Sequence, residues 1–243
     1  MPTRRRRYRD LAELDAHLID CRACPRLVAW REQVAREKRR AFADEEYWGR
    51  PVPGIGPSDA KLLIVGLAPA AHGGNRTGRM FTGDQSGDFL FAAMYSVGLV
   101  NQPHSVSRDD GLELFDTRIT APVHCAPPQN KPTVEERDRC ARWLHAELGL
   151  LAPTVRAVLT LGQFGWQSTL RTFAELGWTV PRPAPRFGHG VSTTLVRDTT
   201  TLEVFGCYHV SQHNTYTGRL TVEMLVDVLR SAARSAGIDV EGE

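Results

Sequence analysis

The sequence predicts an α/β fold, a parallel sheet covered by helices on both faces, and three observations carry that expectation. Short apolar runs recur at KLLIVGLAP (61–69), ITAPVHCA (119–126), VRAVLTLG (155–162) and LEVFGCYHV (202–210), each suited to a strand buried on both faces. Helical patterns lie between or after these runs. The loops that follow them are rich in Gly, Pro, Asn, His and Thr, residues that shape turns and approach polar ligands closely.

Residues 10–20 and 26–40 read as two helices split by CRACP, where Pro25 restricts the residue before it. GRPVPGIGPSD (49–59) is loop. In 86–97, Phe89, Leu90, Ala93, Met94 and Val97 repeat at helical spacing behind Ser86 as a cap. In 133–150, Thr133 and Glu136 form a capping box after Pro132. In 220–236, Leu220, Met224, Leu225, Val228 and Leu229 make an apolar stripe. Residues 10–236 thus form one domain, with a basic tail at 1–9 and a second tail at 237–243.

At 243 residues, 42% hydrophobic and 24% charged, the chain can bury one sizeable core. No apolar run reaches the roughly 18–20 residues of a membrane span, and MPTRRRRYRD is no signal core, so a cytoplasmic protein without membrane contact is expected. The net charge of +2 gives no global field for nucleic acid. Positive charge is local, in Arg4, Arg5, Arg6, Arg7 and Arg9 and again in Arg31, Arg36, Lys38, Arg39 and Arg40, where a tail and a solvated helix face are the expected readings.

Of five cysteines, Cys207 reads as a small buried apolar residue. Cys21 and Cys24 form a C-x2-C pair, and Cys125 and Cys140 can complete a four-thiolate set if the fold brings the pairs together. The alternative is four unrelated buried cysteines, and spacing alone does not separate zinc from an iron–sulfur cluster.

In parallel α/β sheets ligands sit beyond the carboxyl ends of the strands, which selects the loops 66–87, 125–132 and 209–219. Asp84 in TGDQSG is a candidate carboxylate that equally suits a helix cap, Asn130 stands among prolines, and His209 follows a strand directly. Val210 and the stretch Asn214 to Gly218 predict loop after His209, so a His-x3-His metal pair on a helix is not expected.

Together CRACPRLVAWRE (21–32), PVPGIG (51–56), GLAPAAHGGNRTGRMFTGDQSG (66–87), CAPPQNKPT (125–133) and HVSQHNTYTGRLT (209–221) resemble the uracil-DNA glycosylase superfamily, and within it family 5, the type B enzymes. The resemblance implies a three-layer α/β/α sandwich with a central four-stranded parallel sheet. It implies a structural [4Fe-4S] cluster on Cys21, Cys24, Cys125 and Cys140, with zinc as the alternative. It also implies base flipping from double-stranded DNA by a monomer, with hydrolysis of the N-glycosidic bond of uracil and, in this family, of hypoxanthine and ethenocytosine nucleotides.

Relatives carry GQDPY or GEAPG in the first loop; here GLAPA puts Leu67 and Ala68 where a polar or acidic group would stand, so the resemblance moves the carboxylate to Asp84. It assigns Asn130 to the sugar or water and His209 to the departing base. Gly66, Leu67, Ala68, Phe81 and Ala121 would surround the base, Phe81 by stacking; Ala121 replaces a uracil-reading Asn of a relative and suggests a tolerant pocket. His72, Gly73, Asn75 and Arg76 would form one DNA clamp, and Ser211, Gln212, His213, Asn214 and Arg219 a wedge and phosphate contact. No lysine in these blocks suggests Schiff-base chemistry. A non-catalytic, metal-stabilised nucleic-acid binder is the rival reading, and a relative that crosslinks to DNA through histidine is the third.

Overall fold

The structure, a computed structural model, describes residues 6–240. In chain order it contains α1 (Leu11–Leu18), α2 (Pro25–Glu37), β1 (Leu62–Val65), α3 (Gly74–Thr77), α4 (Gln85–Ser96), β2 (Thr117–Thr120), α5 (Val134–Leu151), β3 (Ala157–Leu161), α6 (Gln163–Glu175), β4 (Ser192–Arg197), β5 (Thr200–Cys207), α7 (Gln212–Tyr216) and α8 (Val222–Ser235).

The sheet has the order β2-β1-β3-β5-β4. Its first four strands are mutually parallel, with Ile64 opposite both Ile119 and Leu159, and Leu159 opposite Phe205. The expected four parallel strands are therefore present. A fifth, β4, runs antiparallel to β5 along the edge. Along it buried and exposed residues alternate, and that short run of Ser, Thr, Leu and Val gives a weaker signal than the fully buried β1 and β3.

Strand alternation sends neighbouring residues to opposite faces. Leu62 and Ile64 join Leu90, Phe91 and Met94 of α4 and Leu225 and Leu229 of α8 in one core layer. Leu63 and Val65 join Trp143, Leu144 and Leu148 of α5 and Trp166 and Phe173 of α6 in the other, which α1 and α2 extend. Both faces are covered, giving the α/β/α sandwich. The second layer also buries an ion pair: Arg118 Nε donates to Glu147 Oε1 at 2.7 Å, and Thr120 Oγ1 donates to Glu147 Oε2 at 2.6 Å. Pairing and hydrogen bonding satisfy the buried carboxylate and fix α5 against β2.

Side-chain caps start α1, α4, α5 and α8. Thr133 and Glu136 form the expected capping box of α5. The cap of α4, however, is Asp84 rather than Ser86, with Oδ1 accepting from the Gly87 amide at 3.0 Å. The expected tails also differ. Tyr8 packs its ring 6.0 Å from that of Trp143, and Ile238 is buried against the α4/α8 layer. Arg4 and Arg5 lie outside the described residues. Cys207 is fully buried, as expected. Among the described residues no helix is long and apolar enough to cross a membrane.

Candidate active site

The loops leaving the carboxyl ends of β1, β2 and β5 converge on a cavity of about 570 Å³, in the usual range for small-molecule sites. Leu67, Ala68, Phe81, Asp84, Ala121, Asn130, His209, Ser211, Gln212 and His213 line it. Three separate sequence blocks therefore meet as the strand-end rule requires.

Asp84 enters through its position before α4. One carboxylate oxygen caps the helix through Gly87, while Oδ2 lies beside Gly73, where a β-carbon would collide with it. The helix-cap reading and the catalytic reading of Asp84 are thus compatible, because the cap uses one oxygen. Burial raises its pKa, and the Gly87 and Ser86 amides offset part of that rise.

His209 follows β5 and faces the same cavity. Burial pushes its pKa down to about 4, so the imidazole is neutral at physiological pH and can donate from one ring nitrogen. The Asn214 side chain donates to the His209 carbonyl at 2.8 Å and holds the turn. Asn214 is therefore an internal brace rather than an outward DNA contact.

The Phe81 ring lies 6.4 Å from the His209 ring between centroids. A β-carbon on Gly66 would come within 2.9 Å of Phe81 Cζ, so glycine there lets the ring lie against the end of β1. Phe81 itself has φ of 52°, a left-handed conformation that costs a bulky residue about 1–3 kcal/mol. Such strain is retained where a loop must present a side chain in one place. Asn130 also has positive φ, with the Asn130 amide donating to the Pro127 carbonyl at 3.1 Å, and its side chain is exposed on the cavity wall.

The first of the expected DNA clamps is not on the surface. Gly73, Asn75 and Arg76 are buried. The Asn75 amide donates to the Arg31 carbonyl at 3.1 Å. Arg76 stacks its guanidinium 3.9 Å over Phe42, donates to the His72 carbonyl at 2.8 Å and the Gly83 carbonyl at 3.1 Å, and pairs with Glu45. Its charge thus braces the loop before Asp84 instead of meeting phosphate. His72 is half-buried and shares a hydrogen bond with the Tyr47 hydroxyl at 3.0 Å.

The second cluster is placed as expected in part. Gln212 and His213 are exposed at the cavity, but they start the short helix α7 in a segment the sequence reads as loop. Arg219 is exposed, with its guanidinium 4.6 Å over the Tyr208 ring. Sequence reasoning did not anticipate Gln85, Ser86, Gln129 and Lys131 in the cavity wall. Their adjacency to Asp84 and Asn130 was the available signal.

Cys21, Cys24, Cys125 and Cys140 are all unpaired and line one small enclosed cavity with Leu27, His124 and Trp143. They arrive from the α1–α2 turn, the N-cap of α2, the loop after β2, and α5. As free thiols three of them are held neutral: burial raises Cys24 and pushes Cys125 up to about 11, and burial followed by the nearby Cys125 raises Cys140 well above its ordinary value. Arg31, 2% exposed, donates to Cys125 Sγ at 2.9 Å and to the Cys21 carbonyl at 3.1 Å, while its Nε has no partner. Among the described residues no carboxylate forms an ion pair with it. Thiolates ligating a metal group would supply negative charge beside this buried guanidinium. The donor set therefore fits a thiolate-bound group, although among the described residues no three His, Cys, Asp or Glu side chains are arranged around a single ion.

The sandwich thus holds, at its strand ends, one cavity lined by a carboxyl group, a neutral imidazole and an aromatic ring. The sequence profile described as the Uracil DNA glycosylase superfamily matches residues 53–233. The chain is 57% identical over 229 residues to the type-5 uracil-DNA glycosylase of Mycobacterium tuberculosis (strain CDC 1551 / Oshkosh), covering 94% of this chain and 83% of that protein. It is 56% identical to the type-5 enzyme of Mycobacterium leprae, over 94% of this chain and 96% of the relative. It is 50% identical to that of Thermus thermophilus, over 91% and 96%. The chain belongs to the uracil-DNA glycosylase superfamily, in its type-5 branch.

Proposed function

We propose that the cavity at the strand ends is where this chain removes uracil from DNA. The enzyme is a DNA-repair hydrolase of N-glycosidic bonds, and the observation that carries this is near-full-length identity to named type-5 uracil-DNA glycosylases. The residue roles are those the family resemblance implies, and the meeting of these residues in one cavity supports them. The nucleotide leaves the stack and its base enters the cavity against Phe81, with the edge of the His209 ring toward it. As the C1′–N1 bond breaks, its electrons pass to the base, and the neutral His209 ring donates a hydrogen bond to the oxygen that gains charge. Asp84, with one oxygen not used by the cap, faces the cationic sugar and orients the water that adds to C1′, whose proton passes by way of Asp84 to the departing uracil anion. Asn130, which lines the same cavity, assists in holding that water or the sugar.

The substrate range includes hypoxanthine and ethenocytosine, because Leu67, Ala68 and Ala121 present aliphatic surface where a uracil-reading side chain would discriminate. We place the enzyme on double-stranded DNA, as a monomer, in the cytoplasm. Base release from uracil-, hypoxanthine- and ethenocytosine-containing oligonucleotides tests this breadth. Measurable release of all three is expected, and release of uracil alone would contradict the tolerant pocket.

Cys21, Cys24, Cys125 and Cys140 would hold a [4Fe-4S] cluster, with Arg31 supplying compensating positive charge. When bound, the cluster supplies a cross-link between the N-terminal helices, the loop after β2 and α5. Protein purified without oxygen is expected to show broad visible absorbance and about four irons per chain. A colourless protein with stoichiometric zinc would contradict the assignment.

A further inference from the structure

We propose that Thr82, Ser105 and Asp110 are positioning residues for base excision: through Arg79 they hold Phe81 in its left-handed backbone conformation and so fix the ring that walls the cavity. The inference rests on the glycosylase reading and on Phe81 as the stacking ring. None of these four residues lines the cavity, whereas Met80, Phe81 and Asp84 do. With φ of 52°, Phe81 adopts a conformation that a bulky residue leaves unless its surroundings over-determine it. The residues on either side of Phe81 supply that constraint.

Arg79 and Thr82 tie the turn to itself. Arg79 Nε donates to Thr82 Oγ1 at 2.9 Å, and the Thr82 hydroxyl donates to the Met80 carbonyl at 3.1 Å. The brace is anchored from the segment between α4 and β2. The Thr82 and Ser105 hydroxyls share a hydrogen bond at 2.6 Å, and the Gly83 amide donates to the Ser105 carbonyl at 2.7 Å. Arg79 Nη2 donates to Ser105 Oγ at 2.8 Å and to Asp110 Oδ2 at 2.6 Å, while Nη1 donates to the Arg108 carbonyl at 3.0 Å. Asp110 orders its own segment by accepting from the Val106, Ser107 and Leu112 amides at 2.7, 3.2 and 3.1 Å. Burial alone would raise its pKa, but Arg79 and these amides outweigh that and bring it to about 2, so the carboxylate stays ionised. Arg79, Thr82 and Ser105 are buried, so water does not replace a bond that is removed. Cutting the brace leaves Phe81 to relax to an ordinary φ, which carries its ring away from the base.

Single-turnover excision of uracil, compared per folded molecule below the melting transition of every variant, tests the brace. Phe81→Ala is expected to lower the efficiency about tenfold, the usual loss for one base–aromatic stack. Thr82→Val deletes the hydroxyl and is expected to lose about fivefold, whereas Thr82→Ser keeps the hydroxyl and should stay within about twofold of wild type. Asp110→Asn keeps an acceptor for Arg79 but not the charge, and a loss of about threefold is expected. In the Phe81→Ala background, Thr82→Val should cost less than about twofold more, because the ring it positions is gone. Equal fold-losses in the two backgrounds, or Thr82→Ser as impaired as Thr82→Val, would leave a role in stability alone and overturn the brace. If Thr82→Val does not fold, Ser105→Ala in the same two backgrounds gives the same contrast and is judged by the same outcomes. Wild-type efficiency in Phe81→Ala would overturn the stacking reading and the brace with it. No excision by folded wild type would instead remove the activity reading.

Discussion

Asp84→Asn is expected to lower the single-turnover rate of uracil excision by about 10²–10³-fold, while affinity for abasic-site DNA changes less than about threefold. The choice of Asn separates catalysis from folding. Asp84 caps α4 through the Gly87 amide, and Asn caps a helix about as well as Asp, whereas Ala would also cost about 1 kcal/mol of stability. Burial holds the Asp84 pKa above its ordinary value, so the folded protein binds this proton more tightly than the unfolded chain. Between the unfolded and folded pKa values, stability therefore falls as pH rises, and the cost of the buried charge remains above that window. Asp84→Asn removes the cost. A melting temperature at or above wild type with a rate near zero is the expected pair of results, and a wild-type rate would remove Asp84 from the mechanism.

His209→Ala should slow excision by about 10²-fold, the usual loss when one donor to a developing anion is deleted, with binding again preserved. The pH dependence is diagnostic. With its pKa near 4, the folded imidazole stays neutral through the range where an ordinary histidine titrates at about 6.5. The wild-type rate should show no inflection near 6.5 assignable to this residue. Stability behaves differently: between about pH 6.5 and 4 the unfolded chain takes up a proton that the folded chain refuses, so stability falls as pH falls through this window. His209→Gln lacks that titration and should lose less stability on acidification. Equal pH dependence in the two proteins would mean that His209 is not held neutral by burial.

The strands were legible where both faces are buried, because continuous apolar runs such as Leu62–Val65 need no alternation to be recognised. β4 was not, since its edge position leaves alternate residues exposed and polar. Nor was α6: its buried face includes Ser168, Thr169 and Thr172, which dilute a helical apolar stripe. α7 was concealed by Thr and Gly residues that signal a turn. Of the site, Asp84, Asn130 and His209 were legible through their place after strands and in the family-like blocks, and the cavity brings all three together. The direction of loop side chains was not. Asn75 and Arg76 have the residue types of a phosphate clamp, yet they turn inward, Asn75 to a carbonyl of α2 and Arg76 to the loop before Asp84, because a folded loop needs internal donors as much as a ligand does.

The cysteines show the same limit from the other side. Their spacing left four separate buried thiols possible, and the fold gathers them around one cavity with a buried arginine that, among the described residues, forms no ion pair. Composition could not have shown that Arg31, one of a run read as a solvated face, lies inside.

The most direct test is incubation of excess protein with duplex DNA containing a single uracil, followed by alkali treatment and strand analysis. The account predicts complete cleavage at the uracil by wild type and almost none by Asp84→Asn at equal occupancy. Intact DNA after prolonged incubation with folded wild-type protein would contradict it and leave a nucleic-acid binder in its place.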